Sequence, residues 1–274
     1  MNDSVIKRIK LLAKILIPKN QRIKLKRYIN KVRFFGLRYK CPMCGSYLKK
    51  LKPFGLKIPV LNEKNVIGGG YRLNTKCPVC YSTDRERLLY LYLSKKKFFT
   101  SVAKVLHVAP ESELSRIIKM YPNINYLTAD ISANDVMVKM DITQIQYPAD
   151  TFDVIICNHV LEHIVDDRKA MSELYRVMKP GGWGILQVPI SLSLDKTYED
   201  VSITNPSKRE QIFGQSDHVR IYAIDYLDRL KEVGFEISIF DWLEEDKLFC
   251  GKDNKYALLQ FEKIFVVKKP NSIN

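Results

Sequence analysis

The sequence contains no long uninterrupted apolar segment. Its longest early apolar run, residues 11–17, is broken by Lys14 and is not followed by a small-residue cleavage site. This pattern argues against a signal peptide and against a membrane-spanning helix, so we expect a cytoplasmic protein. The 274 residues, of which 46% are hydrophobic, are enough for one sizeable packed domain and a small appendage.

Acidic residues are nearly absent from residues 1–52, which contain 16 Lys or Arg and one acid, Asp3. The other 222 residues contain 29 basic and 29 acidic residues, so the formal charge of +15 belongs to the front segment. Apolar residues recur at helical spacing in residues 4–16, and a second basic stretch covers residues 21–40. We expect residues 1–40 to form a basic amphipathic arm. It would lie on RNA, on its own protein, or peripherally on the anionic inner membrane surface.

The six cysteines do not form the pattern of a secreted disulfide protein. Four of them form two Cys-x-x-Cys pairs, Cys41 with Cys44 and Cys77 with Cys80. Two such turns supply four thiolates for a tetrahedral Zn²⁺ ion. We predict a structural zinc site in a zinc-ribbon-like module at residues 41–82, with a hairpin in the 32 residues between the pairs. Redox pairs or unliganded thiols are the alternatives.

Apolar strand-like runs alternate with helical patterns in the third part, residues 83–274, in which Thr83 is expected to cap a helix at residues 85–97. This alternation predicts an α/β fold, a parallel sheet covered by helices on both faces. Cys157 ends one of these runs and is expected to be a buried, inert thiol. The expected strands are residues 104–108, 124–129, 136–140, 154–157, 184–188, 236–240 and 263–267, and the expected helices are residues 113–120, 168–178 and 225–233.

Glycine is missing from the first loop of this domain, His107-Val-Ala-Pro-Glu111. The loop follows an apolar strand and opens a helix, which is where a doubly wound sheet binds a nucleotide-like cofactor. Asp130 ends the next expected strand, 23 residues after His107, where a carboxylate can accept hydrogen bonds from ribose hydroxyls. Asp141 follows a third apolar run.

Two later motifs resemble those of class I S-adenosylmethionine-dependent methyltransferases of the type 11 family. Residues 150–163, Asp-Thr-Phe-Asp-Val-Ile-Ile-Cys-Asn-His-Val-Leu-Glu-His, resemble the fourth motif, and residues 178–182, Met-Lys-Pro-Gly-Gly, resemble the sixth. The resemblance implies a Rossmann-like sheet with an antiparallel last strand, and S-adenosylmethionine as cofactor. The residues it implies for cofactor binding are His107, Ala109, Pro110, Glu111, Asp130, Asp141, Ile142, Asn158 and His159.

The family usually has an acidic residue at the position of His107 and glycines in the loop that follows. We interpret the loop of this chain as a subfamily variant. In this interpretation Pro110 fixes the turn that glycine usually permits, and Glu111 meets the ammonium group of the cofactor. Ile142 would lie against the adenine ring, with Asp141 on the adenine amino group.

The long connection at residues 191–224 is expected to form the acceptor pocket or its lid. We predict His218 as general base, with Asp217 orienting it or binding substrate, and His163 as a further catalytic candidate. Arg220 is expected to bind an anionic group of the substrate, with Tyr222 beside it. A purely structural His–Asp pair is the alternative.

Three functions fit the sequence. The first is methylation of an oxygen in a small molecule, sugar or glycan, such as a precursor of a cell-surface polysaccharide. Asn158-His159 lacks the Asn/Asp-Pro-Pro-aromatic sequence of many amino-methylating enzymes, which favours an oxygen acceptor. The second is RNA methylation, using the basic arm and the zinc module. The third is a catalytically degenerate Rossmann-like scaffold that only binds.

Overall fold

The structure is a computed structural model that describes residues 18–245, 249 and 253–271. The helix expected at residues 4–16 and Cys250 lie outside these residues. In chain order the elements are α1 (Lys19–Arg33), β1 (Tyr39–Lys40), β2 (Tyr47–Leu48), β3 (Lys52–Phe54), α2 (Pro59–Glu63), β4 (Arg72–Lys76), α3 (Asp84–Lys95), β5 (Ala103–Val108), α4 (Ser112–Ile118), β6 (Ile124–Asp130), β7 (Val138–Lys139), β8 (Phe152–Asn158), α5 (Asp167–Val177), β9 (Met178–Gln187), β10 (Tyr198–Glu199), α6 (Pro206–Phe213), β11 (Arg220–Ile221), α7 (Tyr226–Val233), β12 (Glu236–Asp241) and β13 (Lys263–Lys268).

The central sheet has seven strands in the order β12-β13-β9-β8-β5-β6-β7. Strands β5 to β9 run parallel to one another, and β13 is antiparallel to both of its neighbours, β9 and β12. The predicted Rossmann-like sheet with an antiparallel last strand is therefore confirmed. Strand β6 lies on one side of β5, and β8 lies on the other, so the direction in which strands are added reverses at β5. Doubly wound sheets bind ligands at such switch points.

The central strands are buried on both faces because successive side chains point to opposite sides of the sheet. Val105 and Ile156 contribute to one core cluster, with α3 and α4, whereas Leu106 and Ile155 contribute to the other, with α5 and α7. All four side chains are fully buried. Burial of each contributes about 1.5–3 kcal/mol. Cys157 is also fully buried in β8, as expected.

Two elements differ from the sequence pattern. The third strand is reduced to Val138–Lys139, because its neighbouring residues form bends rather than ladder pairs. Strand β9 begins at Met178 instead of residue 184, so the Lys-Pro-Gly-Gly sequence lies inside it. The ladder between β8 and β9 shifts register between Phe152 and Val154, which accommodates this irregular start.

The cysteine module, residues 41–82, packs directly on the sheet domain. Cys41, Cys77 and Leu48 share a core cluster with Val105. Farther along the module, the Ile67 N–H donates to the Ile190 carbonyl (2.8 Å), and the Leu192 N–H donates to the Asn65 carbonyl (3.1 Å). These bonds place residues 65–67 beside the segment that follows β9, at the carboxyl end of the sheet.

Helix α1 lies against both other parts of the chain. Asn30 Nδ2 donates to the Pro78 carbonyl at 2.7 Å, and Arg27 pairs with Glu113 of α4 at 2.7 Å. The opposite side of α1 exposes half or more of Leu25, Ile29 and Val32. Among the residues that the structure describes, no helix is both long enough and apolar enough to cross a bilayer.

Candidate functional site

The glycine-free loop turns at Ala109, whose φ of 46° lies in the left-handed region. For a residue with a Cβ this conformation costs about 1 kcal/mol. The Ala109 N–H donates to the Ala129 carbonyl of β6 at 2.8 Å, which holds the turn against the sheet. The turn that we assigned to Pro110 is thus made by Ala109, with Pro110 directly after it.

The carboxylate of Glu111 is held by the ends of two strands. His107 Nε2 lies 2.9 Å from Glu111 Oε2, and Asn158 Nδ2 donates to Glu111 Oε1 at 3.0 Å. Because a carboxylate can only accept, His107 carries its proton on Nε2, and its Nδ1 accepts from the Tyr126 hydroxyl at 2.7 Å. Burial raises the pKa of Glu111, but its interaction with His107 and the hydrogen bond from Asn158 outweigh burial and lower the pKa below its usual range.

Asp130 is the last residue of β6, and Asp141 lies two residues after β7. Each side chain accepts hydrogen bonds from the residues that follow it in the chain. Asp130 Oδ1 accepts from the backbone N–H groups of Ser132 and Ala133, both at 2.7 Å. Burial raises the pKa of Asp130, but these hydrogen bonds lower it by more than burial raises it. The pKa lies below its usual value, so the group is a carboxylate. Asp141 Oδ1 accepts from the backbone and hydroxyl of Thr143, both at 2.8 Å. Ile142, expected beside the adenine ring, is buried in the core.

Asn158 and His159 connect this region with a cavity of about 560 Å³. Asn158 contacts Glu111, and its buried Oδ1 has no hydrogen-bond partner among the described residues. His159 has a left-handed φ of 54° and lines the cavity. Burial, and then the positive charge of Arg85, holds the pKa of His159 well below its usual value, so this imidazole is neutral. The cavity therefore begins one residue away from the Glu111 contact.

The cysteine module and the sheet domain both line this cavity, which we call the central cavity. Phe54, Leu56 and Tyr71 come from the segment between the two cysteine pairs. The opposite wall includes Arg85, His159, Glu162, His163 and His218. No local sequence pattern indicated the module wall or Arg85, because these residues reach the cavity only through the packing of the module on the sheet.

His218 lines the cavity but is not oriented by Asp217. Its Nδ1 lies 3.2 Å from the Phe213 carbonyl, which can only accept, so Nδ1 carries the proton and Nε2 the lone pair. Burial and the neighbouring His163 lower the pKa of His218 to about 4. Asp217 pairs instead with His163, with Oδ2 3.1 Å from Nδ1. The prediction that Asp217 orients His218 is wrong, because the turn before β11 directs the two side chains to different partners.

Arg220 and Tyr222, which we predicted to contact the substrate, both have hydrogen-bond partners within the protein. The buried Arg220 guanidinium pairs with Glu199 at 2.7 Å and donates to the carbonyls of Leu161, Ile164 and Val165. Its donors are therefore committed within the protein. The Tyr222 side chain is fully buried, and its hydroxyl donates to Asp167 Oδ2 at 2.6 Å. Both residues therefore support the site, and their predicted contact with a substrate stays a prediction, with Arg220 among the residues that line the cavity.

Glu162 is a cavity residue that the sequence pattern did not indicate. Its Oε1 lies 3.2 Å from His159 Nδ1, whereas its buried Oε2 has no partner among the described residues. Burial raises the pKa of Glu162 to about 8. The position of Glu162 next to His163, in the segment that follows β8, was the available signal for its role.

The four module cysteines form one cluster. Cys41 Sγ lies 3.6 Å from Cys80 Sγ, and Cys44 Sγ lies 3.9 Å from Cys77 Sγ. Four sulfurs at about 2.3 Å from a tetrahedral zinc ion are separated by about 3.8 Å, so the geometry fits this ion. The two turns are also alike in their backbone, since Gly45 and Tyr81, each directly after a pair, have φ of 69° and 70°.

Known proteins are similar to part of the sheet domain. Residues 99–186, which include β5 to β8 and nearly all of β9, match the family model described as a methyltransferase domain. This part of the chain is therefore similar to the methyltransferase domains of that family. It is 30% identical over 112 residues to the ubiquinone/menaquinone biosynthesis C-methyltransferase UbiE of Vibrio campbellii. That match covers 36% of this chain and 43% of the relative, so it spans less than half of the relative's length.

Solved structures with a similar fold have low sequence identity to this chain. The [4+2]-cyclase SpnF is 15% identical, with a TM-score of 0.47 over 68% of this chain and 82% of that one. A protein of Bacillus halodurans described as a putative methyltransferase is 17% identical, with a TM-score of 0.39 over 64% of this chain and 92% of that one.

We predict that Arg220→Ala destabilises the protein by about 3 kcal/mol, because Glu199 and three backbone carbonyls lose the donor that the buried guanidinium supplies. Chemical denaturation measures this loss. Arg168→Ala is the matched control, since Arg168 forms a pair with Glu232 in which both side chains are more than half exposed. The control should cost less than about 1 kcal/mol. Equal stability of the two variants would show that Arg220 does not support the fold.

Proposed function

We propose that the protein is an S-adenosylmethionine-dependent methyltransferase that methylates an oxygen of a small molecule, sugar or glycan bound in the central cavity. The observation that carries the proposal is the continuity between two regions. Asn158 bonds to the Glu111 carboxylate on the cofactor loop, and the next residue, His159, lines the cavity. An acceptor in this cavity would lie next to the bound cofactor.

The residues at the carboxyl ends of β5 and β6 fit the cofactor. The Glu111 carboxylate would bind the ammonium group, and Asp130, whose hydrogen bonds all use Oδ1, would bind the ribose hydroxyls. The unpartnered Oδ1 of Asn158 supplies a further acceptor. When bound, the cofactor supplies a methyl group on a positively charged sulfur.

The protein contributes alignment and proton handling. Displacement at the methyl carbon is in line, so a cavity that holds the acceptor oxygen opposite the sulfur supplies much of the rate. The acceptor hydroxyl must also lose a proton. His218 Nε2 carries a lone pair on the cavity wall, and its low pKa keeps it unprotonated at neutral pH. It is a weak base, so alignment carries more of the acceleration than proton removal does.

The size of the cavity favours a small acceptor or one end of a larger one. About 560 Å³ lies within the range typical of small-molecule sites. The wall formed by Phe54, Leu56 and Tyr71 covers one side of the cavity. The name of the Vibrio relative describes a C-methyltransferase, so a carbon acceptor is the alternative outcome for the same cavity.

We also propose that Cys41, Cys44, Cys77 and Cys80 bind a structural Zn²⁺ ion. Four thiolates leave no open coordination position, so this ion would stabilise the module and take no part in the reaction. Through the module it would hold Phe54 and Tyr71 at the cavity.

We infer that α1 docks peripherally on an anionic membrane. Leu25, Ile29 and Val32 are exposed on its outward side, and the exposed Lys24 and Lys31 flank them. Exposed apolar residues among basic ones suit the boundary between lipid headgroups and acyl chains. RNA binding requires the charge but gains nothing from the aliphatic side chains. Docking would bring the cavity near lipid-linked acceptors.

Glu111→Gln should weaken S-adenosylmethionine binding about tenfold to a hundredfold, because a bond between charged groups becomes a neutral one. Isothermal calorimetry measures the change, and circular dichroism checks that the variant folds. Glu232→Gln, which changes an exposed acid, is the control. Unchanged affinity in Glu111→Gln would remove Glu111 from the cofactor site.

Labelled-methyl transfer to fractionated glycans, lipids and RNA tests the acceptor class. We expect label in a glycan, small-molecule or lipid-linked saccharide fraction. Phe54→Ala should raise the KM for that acceptor about fivefold or more without changing cofactor affinity, because it removes one wall of the cavity. Leu73→Ala, a highly exposed position on the same module, is the control. Label in RNA alone would contradict the proposal.

The double variant Leu25→Asn/Ile29→Asn should lower binding to vesicles that contain anionic lipid about tenfold or more, as measured by co-sedimentation. Neutral vesicles should bind neither form. Val102→Asn/Ile131→Asn removes two exposed apolar residues outside α1 and should have no effect. Salt-sensitive binding to RNA, without binding to vesicles, would instead identify α1 as an RNA-binding surface.

A further inference from the structure

Three side chains on one wall of the central cavity form a second cluster of metal-ligating groups. Glu162, His163 and His218 each offer one ligand atom, and these atoms all lie within 4.8 Å of one another. Glu162 and His163 belong to the 3₁₀ turn Leu161–His163 that follows β8, and His218 lies on the connection before β11. Neither the family match nor the proposed base requires these three groups to converge.

Two of the three ligand groups are buried with an unsatisfied atom. Glu162 is 1% exposed and His218 is 4% exposed. Glu162 Oε2 and His218 Nε2 have no hydrogen-bond partner among the described residues. An unpaired buried polar atom costs about 1–3 kcal/mol, so such atoms are uncommon unless they serve a ligand.

Each of the three groups is also held by a contact through its other atom. Glu162 Oε1 lies 3.2 Å from His159 Nδ1, and His218 Nδ1 lies 3.2 Å from the Phe213 carbonyl. His163 Nδ1 lies 3.1 Å from Asp217 Oδ2, which leaves its Nε2 as the second ring nitrogen. Metal-binding histidines commonly donate their second nitrogen to a carboxylate or a backbone carbonyl, which fixes the ring. Both kinds of partner occur here.

We propose that Glu162, His163 and His218 bind a divalent transition-metal ion with an open coordination position toward the cavity. Two imidazole nitrogens favour a transition metal over Mg²⁺ or Ca²⁺. Three protein ligands with a vacant position are typical of a catalytic site, in contrast to the closed four-cysteine cluster. Ligand atoms around one ion lie about 3–4 Å apart, so small side-chain shifts close the site.

The role of this ion rests on the proposed function, whereas its binding does not. An acceptor hydroxyl on the open position would lose its proton to water more readily, because the cation stabilises the negative oxygen. The oxygen–methyl bond would then form as the methyl–sulfur bond breaks, and the sulfur would keep the electron pair. This arrangement supplies the activation that a weakly basic His218 cannot provide.

Cobalt titration of untagged protein that holds one Zn²⁺ ion per chain, after a mild chelator has removed any more weakly bound zinc, tests the site. We expect about one Zn²⁺ per chain before titration, held by the cysteines, and then saturable binding of one Co²⁺ per chain. The visible bands should appear without thiolate-to-cobalt charge transfer, because the site contains no sulfur. Charge-transfer bands would mean that Co²⁺ replaces Zn²⁺ at the cysteines. If this replacement were the only cobalt binding observed, it would overturn the proposal.

Glu162→Gln and His218→Gln should both lose this binding at concentrations that saturate the wild type. Asp217→Asn, which removes only the partner of His163, should weaken it about tenfold to a hundredfold. Gln215→Ala, on the cavity wall but outside the cluster, should bind normally. Circular dichroism identifies any variant that fails to fold. The variants that do fold then decide whether these residues bind the metal. Normal cobalt binding by folded Glu162→Gln and His218→Gln would overturn the proposal.

Methyl transfer measured on the same preparations separates this proposal from the proposed function. Transfer without saturable cobalt binding would reject the metal site alone. Cobalt binding by the wild type without S-adenosylmethionine binding would leave the metal site standing and reject the methyltransferase.

Discussion

The Glu111 carboxylate joins the two strands between which the site forms. One of its oxygens bonds to His107 on β5, and the other accepts from Asn158 at the end of β8. Because β5 and β8 lie side by side at the switch point, this single group fixes the cofactor loop relative to the segment that leads into the cavity. The loop needs no glycine, since Ala109 adopts the left-handed turn and His107 positions an acid from the loop in place of a strand acid. These contacts support the interpretation of the loop as a subfamily variant.

The sequence predicted the sheet well because buried parallel strands appear as short apolar runs, and both faces of β5 and β8 are covered. The helix after Thr83 was also predicted, since its capping box lies within four residues. The antiparallel β13 followed from the family resemblance and not from periodicity. The extent of β9 was missed because its Lys-Pro-Gly-Gly sequence is typical of a turn, yet tertiary pairing extends the strand through it.

The site was predicted less evenly. Glu111, Asp130 and Asn158 lie at strand ends, and the carboxyl ends of parallel strands converge, so their neighbourhood could be expected. The partners of Asp217 and Arg220 depend on how a long connection folds over the sheet, which no local pattern specifies. Phe54 and Tyr71 reach the cavity only because residues 65–67 pair with the segment after β9. The module therefore belongs to the site, and the proposed zinc ion would contribute to acceptor binding by holding this wall in place.

We propose that the glycine-free loop holds S-adenosylmethionine beside the central cavity, and calorimetric titration of zinc-loaded wild-type protein with the cofactor measures this binding. We expect saturable binding with one cofactor per chain. No detectable binding by folded, zinc-loaded protein would contradict it and would leave the domain as a scaffold that has lost its cofactor.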